Sequence, residues 1–396
     1  MRIQLTERGD PDDFALPPEA GAALAGSGLV AARPSISPGL WTVQATTYVG
    51  VAEIAGVELW IKPKVSIERL LFLLGYALDP KGWRHEDVRL QEHEELVSAL
   101  AHAFERQGDR ALQQGLLQGY VRIEECLPVL RGRLRAEDQL KRRFGLAVPL
   151  EISYDDFTID IAEHQLLVAA ARALLRLPRV PGPVRQGLVR LTARLDGVTT
   201  LPPGRPLPRW TPTRLNVRYH TALRLAELIL SATSVEQAEG QVRVNGFMFN
   251  LEKVFEDFVT VALSEALAKY GGATRCQDTA HCLDAAGTVN IRPDLVWYED
   301  LRPSAVVDAK YKAEKPSGFP DADLYQMLAY CTALGLRTGH LVYAKGNETA
   351  GRHVVRNSAV EIVQHALDLE HPPAALLHQV EVIARSIARS SATLVF

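Results

Sequence analysis

A chain of 396 residues exceeds one ordinary hydrophobic core and predicts two or three domains, at about 100 to 200 residues each. Its 47% hydrophobic and 23% charged content is that of a globular protein, and 44 basic against 47 acidic side chains exclude a global basic footprint for nucleic acid, so any such contact must use local patches. No apolar run approaches the roughly 18 residues that span a bilayer, the start "MRIQLTERGDPDD" is no secretory leader, and Cys126, Cys276, Cys282 and Cys331 show no paired framework, which points to a reducing cytoplasm and no membrane partner.

The first region reads as β-rich. "LWTVQATTYVGVAEIAGVELWIKPKV" alternates around Val49, Val51 and Ile54, turns at Ala55-Gly56 and resumes with Val57, Leu59 and Ile61, the pattern of a hairpin. "SIERLLFLLGYAL" and "EHEELVSALAHAFERQ" follow with helical spacing, so residues 1–115 are expected to form a mixed α/β domain. Next, "GYVRIEECLPVLRGRLRAEDQLKRRFG" is a strand followed by a basic segment with Arg131, Arg133, Arg135, Lys141, Arg142 and Arg143. That segment reads equally as a solvated face or as a phosphate- or partner-binding patch. "YDDFTIDIAEHQLLVAAARALLRL" is expected to begin a long helix, the Pro-rich "LPPGRPLPRWTPT" interrupts it, and "TALRLAELILSAT" resumes, so residues 116–244 read as a mainly helical middle region.

Residues 245–396 have a different character. "LEKVFEDFVTVALSEALAKYGG" is an amphipathic helix closed by Gly271-Gly272. Three strand-like runs follow, "TRCQDTAHCLD", "TVNIRPDLVWYED" and "PSAVVDAKYK", with turns expected at Ala285-Ala286-Gly287 and around Arg302-Pro303. The helix "DADLYQMLAYCTALG" and the strand "GHLVYAKG" complete an α/β unit with a meander at its centre, and the chain as a whole is expected to be multi-domain α/β. Cys276, His281, Cys282 and His340 could be imagined as zinc ligands, but C-x5-C is wider than the usual knuckle and no second pair follows.

Charge within apolar strands marks the candidate site. Asp308 and Lys310 are two apart and share one face of a strand, and a meander would set Asp294 beside them. Neighbouring carboxylates are costly to bury unless a cation bridges them, and hard oxygen donors without His or Cys favour Mg²⁺ or Mn²⁺. Such an ion beside a fixed lysine suits phosphodiester hydrolysis.

Pro293-Asp294 followed by Asp308-Ala309-Lys310 resembles the PD-(D/E)xK signature of restriction and repair nucleases. That resemblance implies a metal-binding glutamate on the preceding helix, here Glu256, with Glu252 one turn earlier left as an exposed helix residue. It also makes Gln326 and Tyr330, four apart on one helix face, similar to the Q-x-x-x-Y element of RecB-like nucleases that supports the site. Taken with "YVGVAEIAGVELWIKPKV", "LPVLRGRL" and "YDDFTIDIAEHQLLVAAARALL", the sequence resembles the McrC-type subunit of McrBC restriction systems, in which His164 takes no assigned role.

The resemblance implies a C-terminal restriction-endonuclease-like domain with Asp294, Asp308, Lys310 and Gln326 catalytic and with Asp294, Asp308 and Glu256 holding Mg²⁺. It further implies double-stranded DNA with modified cytosine as substrate, and a McrB-type AAA+ GTPase ring as partner, docked through the N-terminal region. The lack of a G-x-x-x-x-G-K-[ST] loop agrees with a motor on another chain. Two alternatives stay open: a RecB-like repair nuclease, although no cysteine set for an iron–sulfur cluster is present, and a non-catalytic adaptor that activates an AAA+ partner.

Overall fold

The structure, a computed structural model, describes residues 1–78, 80, 96–144, 146–177, 180–202, 206–233, 245–311, 321–344 and 351–392. The ends of several expected elements, residues 92–95 and 345–346 and Lys312 among them, lie outside the described residues. The chain forms two compact units, Met1–Leu90 with Gln237–Phe396, and Gln91–Glu236. The two ends of the chain thus build one unit, where composition suggested three consecutive regions.

The first unit begins with β1 (Arg2–Thr6), β2 (Asp12–Ala15), α1 (Pro18–Gly26), β3 (Val30–Pro34), β4 (Leu40–Ala45), β5 (Tyr48–Ile54), β6 (Val57–Lys62) and α2 (Ile67–Leu78). The expected hairpin is β5–β6. Ala55 and Gly56, at φ 49° and 77°, make the two-residue turn whose twist matches antiparallel strands. Strands β2, β4 and β3 form a small sheet of their own.

The second unit contains α3 (Leu96–Leu112), β7 (Gly119–Leu127), β8 (Arg133–Leu134), α4 (Ala136–Arg143), β9 (Leu150–Thr158), α5 (Ala162–Arg176), α6 (Gly182–Arg194) and α7 (His220–Thr233). Leu100, Phe104, Leu167, Leu188 and Leu223 are fully buried and form its helical core. "YDDFT", expected to start a helix, is instead the end of β9, paired with β7 from Gly119↔Thr158 to Leu127↔Leu150. Aromatic and β-branched residues fit that ladder better than a helix, and α5 begins only at Ala162. His164 is buried and structural: its Nδ1 lies 2.7 Å from the Ile159 carbonyl and its Nε2 3.3 Å from the Tyr219 hydroxyl.

The chain then re-enters the first unit with β10 (Asn245–Asn250), which pairs antiparallel with β5 from Asn245↔Glu53 to Asn250↔Tyr48. Gly50 permits this approach, because it sits at φ 132° and a Cβ there would lie 2.0 Å from the Phe247 carbonyl oxygen. The sheet order is β1-β6-β5-β10. Asn250 then caps α8 (Leu251–Leu267) by accepting from the Glu252 N–H, and Phe258 on α8 packs against Phe72 and Tyr76 of α2 at 5.7 and 5.5 Å.

The remaining elements are β11 (Ala273–Cys276), β12 (Leu295–Glu299), β13 (Arg302–Lys310), α9 (Asp321–Leu334), β14 (Thr338–Ala344), β15 (Arg352–Val354), β16 (Glu361–Leu367) and α10 (Pro373–Ala392). The six-stranded sheet runs β11-β12-β13-β14-β16-β15, an antiparallel meander joined to the parallel strands β13, β14 and β16. Its order of helix, three strands, helix, strand is the expected one. Two local readings shift. The turn before β13 is at Asp300-Leu301, both at positive φ, rather than at Arg302-Pro303. Of "TRCQDTAHCLD" only residues 274–276 are strand, the end of β11, because Gln277 turns left-handed at φ 51°. Val296, Val306, Met327, Tyr330, Cys331 and Leu341 fill the core between this sheet and α9.

Candidate active site

Register places the two aspartates together. Leu295 pairs with Val307, so one step further along the antiparallel ladder sets Asp294 opposite Asp308. Lys310 follows on the same face, and its ammonium forms an ion pair with Asp308 Oδ2. Asp308 is 2% exposed, and its enclosed Oδ2 meets the Lys310 ammonium. Asp294 Oδ2 accepts from the Ala309 N–H at 2.8 Å, which ties the first carboxylate to the strand carrying the second.

The electrostatics follow from that crowding. Burial first, and then the facing Asp308 charge, push the Asp294 carboxyl up to about 8, against a smaller opposing pull from the Ala309 N–H. Burial alone would lower the Lys310 pKa, but the charge and hydrogen bond of Asp308 outweigh it and hold the ammonium above its ordinary value. Lys310 is a fixed cation beside two carboxylates.

Glu256 lies on α8 and Gln326 on α9. The Gln277 amide donates to Glu256 Oε1 and, at 2.9 Å, to Asp294 Oδ1, so α8 is linked to the aspartates through this one side chain. Gln326 Nε2 donates at 3.0 Å to the Tyr330 hydroxyl, which donates at 3.3 Å to the Arg292 carbonyl, two residues before Asp294. Burial, and then the Asp308 and Asp294 charges, push the Tyr330 hydroxyl up to about 12. The expected Gln326/Tyr330 pair therefore props the segment that carries Asp294.

The zinc alternative is not assembled. Cys276 is exposed, the Cys282 thiol donates to Asn290, and His340 is buried against His365 with ring nitrogens 3.1 Å apart. Among the described residues no three His, Cys, Asp or Glu side chains are arranged to hold a metal ion. In the acidic cluster the Gln277 amide stands between Glu256 and Asp294, and the Lys310 ammonium pairs with Asp308. The donors nonetheless suit a hard divalent ion, since all are carboxylate oxygens and the enclosed Asp308 Oδ2 faces only the Lys310 ammonium.

Comparison with known proteins now decides the family. The sequence profile described as "McrBC 5-methylcytosine restriction system component" matches residues 43–344. The chain belongs to this family. The McrBC fold is also shared with a chain from Thermococcus gammatolerans in a "Refined half-complex from tetradecameric assembly of Thermococcus gammatolerans McrB AAA+ hexamers with bound McrC", at 19% identity and TM-score 0.63, over 98% of this chain and 100% of that one. A chain of the cryo-EM structure of the Thermococcus gammatolerans McrBC complex aligns at 22% identity and TM-score 0.40, over 69% of this chain and 90% of that one. No curated protein matches the sequence.

In this McrBC-family chain several site residues carry no local sequence signal. Gln277 reaches Asp294 across a loop, Asp323 accepts from the Tyr343 hydroxyl at 3.1 Å beside Lys310, and Glu7 bonds the hydroxyl of Tyr311. Tyr311 is also packed on Phe255, with the Arg8 guanidinium 5.5 Å over its ring. The residue after Lys310 is thus anchored from the end of β1. The basic segment in the second unit is paired internally: Arg131 meets Asp156 at 2.8 Å, Arg135 meets Glu124 at 2.9 Å, and Arg143 meets Glu151 at 3.1 Å. No helix among the described residues is long and apolar enough to cross a membrane.

Proposed function

We propose that this chain is the McrC-type endonuclease subunit of a modification-dependent DNA restriction complex, hydrolysing phosphodiesters with Mg²⁺ or Mn²⁺ and stimulating a McrB-type AAA+ GTPase. The observation that carries the reading is the meeting of Asp294, just before β12, with Asp308 and Lys310 of β13, with Glu256 linked to it through Gln277, and with Gln326 bonded to Tyr330 and Tyr330 to the Arg292 backbone, in keeping with the PD-(D/E)xK pattern. The family match supports the restriction setting.

Asp294 and Asp308, with Glu256 from α8, would hold the cation, which would supply a nucleophile at neutral pH and offset charge at phosphorus. Lys310, kept protonated by Asp308, offers its ammonium to the phosphate oxygens as their charge grows, a role in transition-state stabilisation rather than as a base. Tyr330 fixes the Arg292–Asp294 backbone, and the exposed Gln326 is free to face DNA on the side away from Tyr330.

Partner docking, expected of residues 1–115, has a stronger candidate surface in the second unit. The loops at the Leu150 end of β9 expose Val129, Leu130, Phe144, Leu146 and Val148 beside the arginines of α4, with Phe144 91% exposed. Exposed apolar clusters rimmed by charge mark protein interfaces. A RecB-like nuclease would share the acidic site but not the family match, and a non-catalytic adaptor has no use for a buried, ion-paired Asp308.

The test is one variant with two readouts. Lys310→Ala is expected to abolish cleavage of methylated DNA while stimulation of the partner's GTP hydrolysis persists. Undiminished cleavage would overturn the site, and a wild-type chain that stimulates no such GTPase would overturn the setting.

A further inference from the structure

Gln277 stands at a point of unusual constraint. It is a non-glycine residue at φ 51°, directly after β11, and its own N–H donates to the Asp294 carbonyl at 2.9 Å. The next residue is pinned as well: Asp278 accepts from the Tyr298 hydroxyl and, at 2.9 Å, from the Ala280 N–H. This scaffold aims one amide nitrogen at two carboxylates from different elements, Glu256 Oε1 on α8 and Asp294 Oδ1 before β12. Both hydrogens of the amide are used, and a neutral dipole thereby does in part what a cation between the same oxygens would do in full. Next to it, the buried Asp308 has the Lys310 ammonium on its Oδ2.

We infer that Gln277 is a built-in stand-in for the divalent cation, holding Glu256 and Asp294 in place until the ion displaces its amide. The inference rests on the metal-dependent reading above and adds the order of events at the site. Because the amide stabilises the arrangement that the ion must break, it weakens ion binding by the same amount that it stabilises the chain without ion. The side chain has three torsions and is only partly buried, so it can swing out without disturbing β11.

The experiment is Mn²⁺ titration by calorimetry together with thermal unfolding in EDTA and in saturating Mg²⁺. Gln277→Ala is expected to bind Mn²⁺ about tenfold more tightly, to unfold about 3 °C lower in EDTA, and to match wild type in Mg²⁺. Gln277→Glu, which keeps the length and adds a charge, is expected to lose more in EDTA and gain more from Mn²⁺, and it carries the test if the alanine variant does not fold. Weaker Mn²⁺ binding by Gln277→Ala would make the amide a ligand and overturn the inference, as would affinity and melting both unchanged. Wild type that binds no Mn²⁺, or Asp308→Asn that binds it undiminished, would remove the metal site itself; binding lost in Asp308→Asn with affinity and melting unchanged in both Gln277 variants would leave that reading standing and overturn the role given to Gln277.

Discussion

Two regions of this chain invert the usual rule of burial, in opposite directions. The six-stranded sheet of the first unit buries charge, with Asp308 2% and Asp294 9% exposed, whereas the tip of the β7-β9-β8 sheet in the second unit exposes apolar groups, with Val129 69% and Leu146 65% exposed. Each inversion is costly unless something else supplies the missing partner. On the function proposed here that partner would be a cation and a phosphate for the sheet, and another protein surface for the tip. The contrast also separates roles, because Arg131, Arg135 and Arg143 are paired with acids of their own unit, while Lys310 is paired with an aspartate buried at the candidate site.

The sharpest way to break this contrast is at Lys310. Replacing it by alanine is expected to lower the DNA cleavage rate by about a thousandfold or more, as loss of a preorganised transition-state charge does. It also leaves Asp308 buried beside Asp294 without its counter-charge, so urea unfolding is expected to show a loss of about 2 kcal/mol. At the tip, the triple variant Val129→Ser, Phe144→Ser, Leu146→Ser is expected to reduce stimulation of the partner GTPase at least tenfold. Its melting temperature should match wild type, since those side chains contribute little to the isolated fold. A lowered melting temperature with normal stimulation would make them core residues and erase the comparison.

A smaller effect sharpens the buried half. His340 and His365 stack on the side of the sheet opposite Asp308, and burial lowers them to about 3 and about 4; neighbouring His365 and Arg352 add to the shift at His340, and Arg352 to that at His365. Both histidines stay neutral in the fold but protonate in the unfolded chain, so their contribution is intact above pH 6.5 and is lost as pH falls, at up to about 1.4 kcal/mol per pH unit for each. Urea midpoints at pH 7 and 5.5 should diverge in wild type and converge by roughly half in His365→Gln. The smallest expected effect is at Arg131, whose pair with Asp156 is solvent-exposed. Arg131→Ala should change stability by about 0.5 kcal/mol or less at low salt, and by nothing measurable at high salt.

The sequence was most legible where geometry is local. Asp308 and Lys310 share a face because strands alternate, and Gln326 and Tyr330 share one because helices repeat. The order of elements around them was readable for the same reason. The tip was not legible, since nothing in the sequence around Val129, Phe144 and Leu146 marks these apolar side chains as exposed. "YDDFT" was misread because the partner that makes it a strand, β7, lies about thirty residues earlier.

By itself, the sequence determined the α/β character, the acidic pair with its lysine, and the family, because all three are written in short patterns of residue type and period. Tertiary structure alone decided that β10 returns to β5, so that the two ends of the chain form one unit, and that Gln277 stands between Glu256 and Asp294. Those contacts join residues far apart in the chain, and no local propensity or spacing encodes which distant strand edge or carboxylate a side chain will meet once the core has closed.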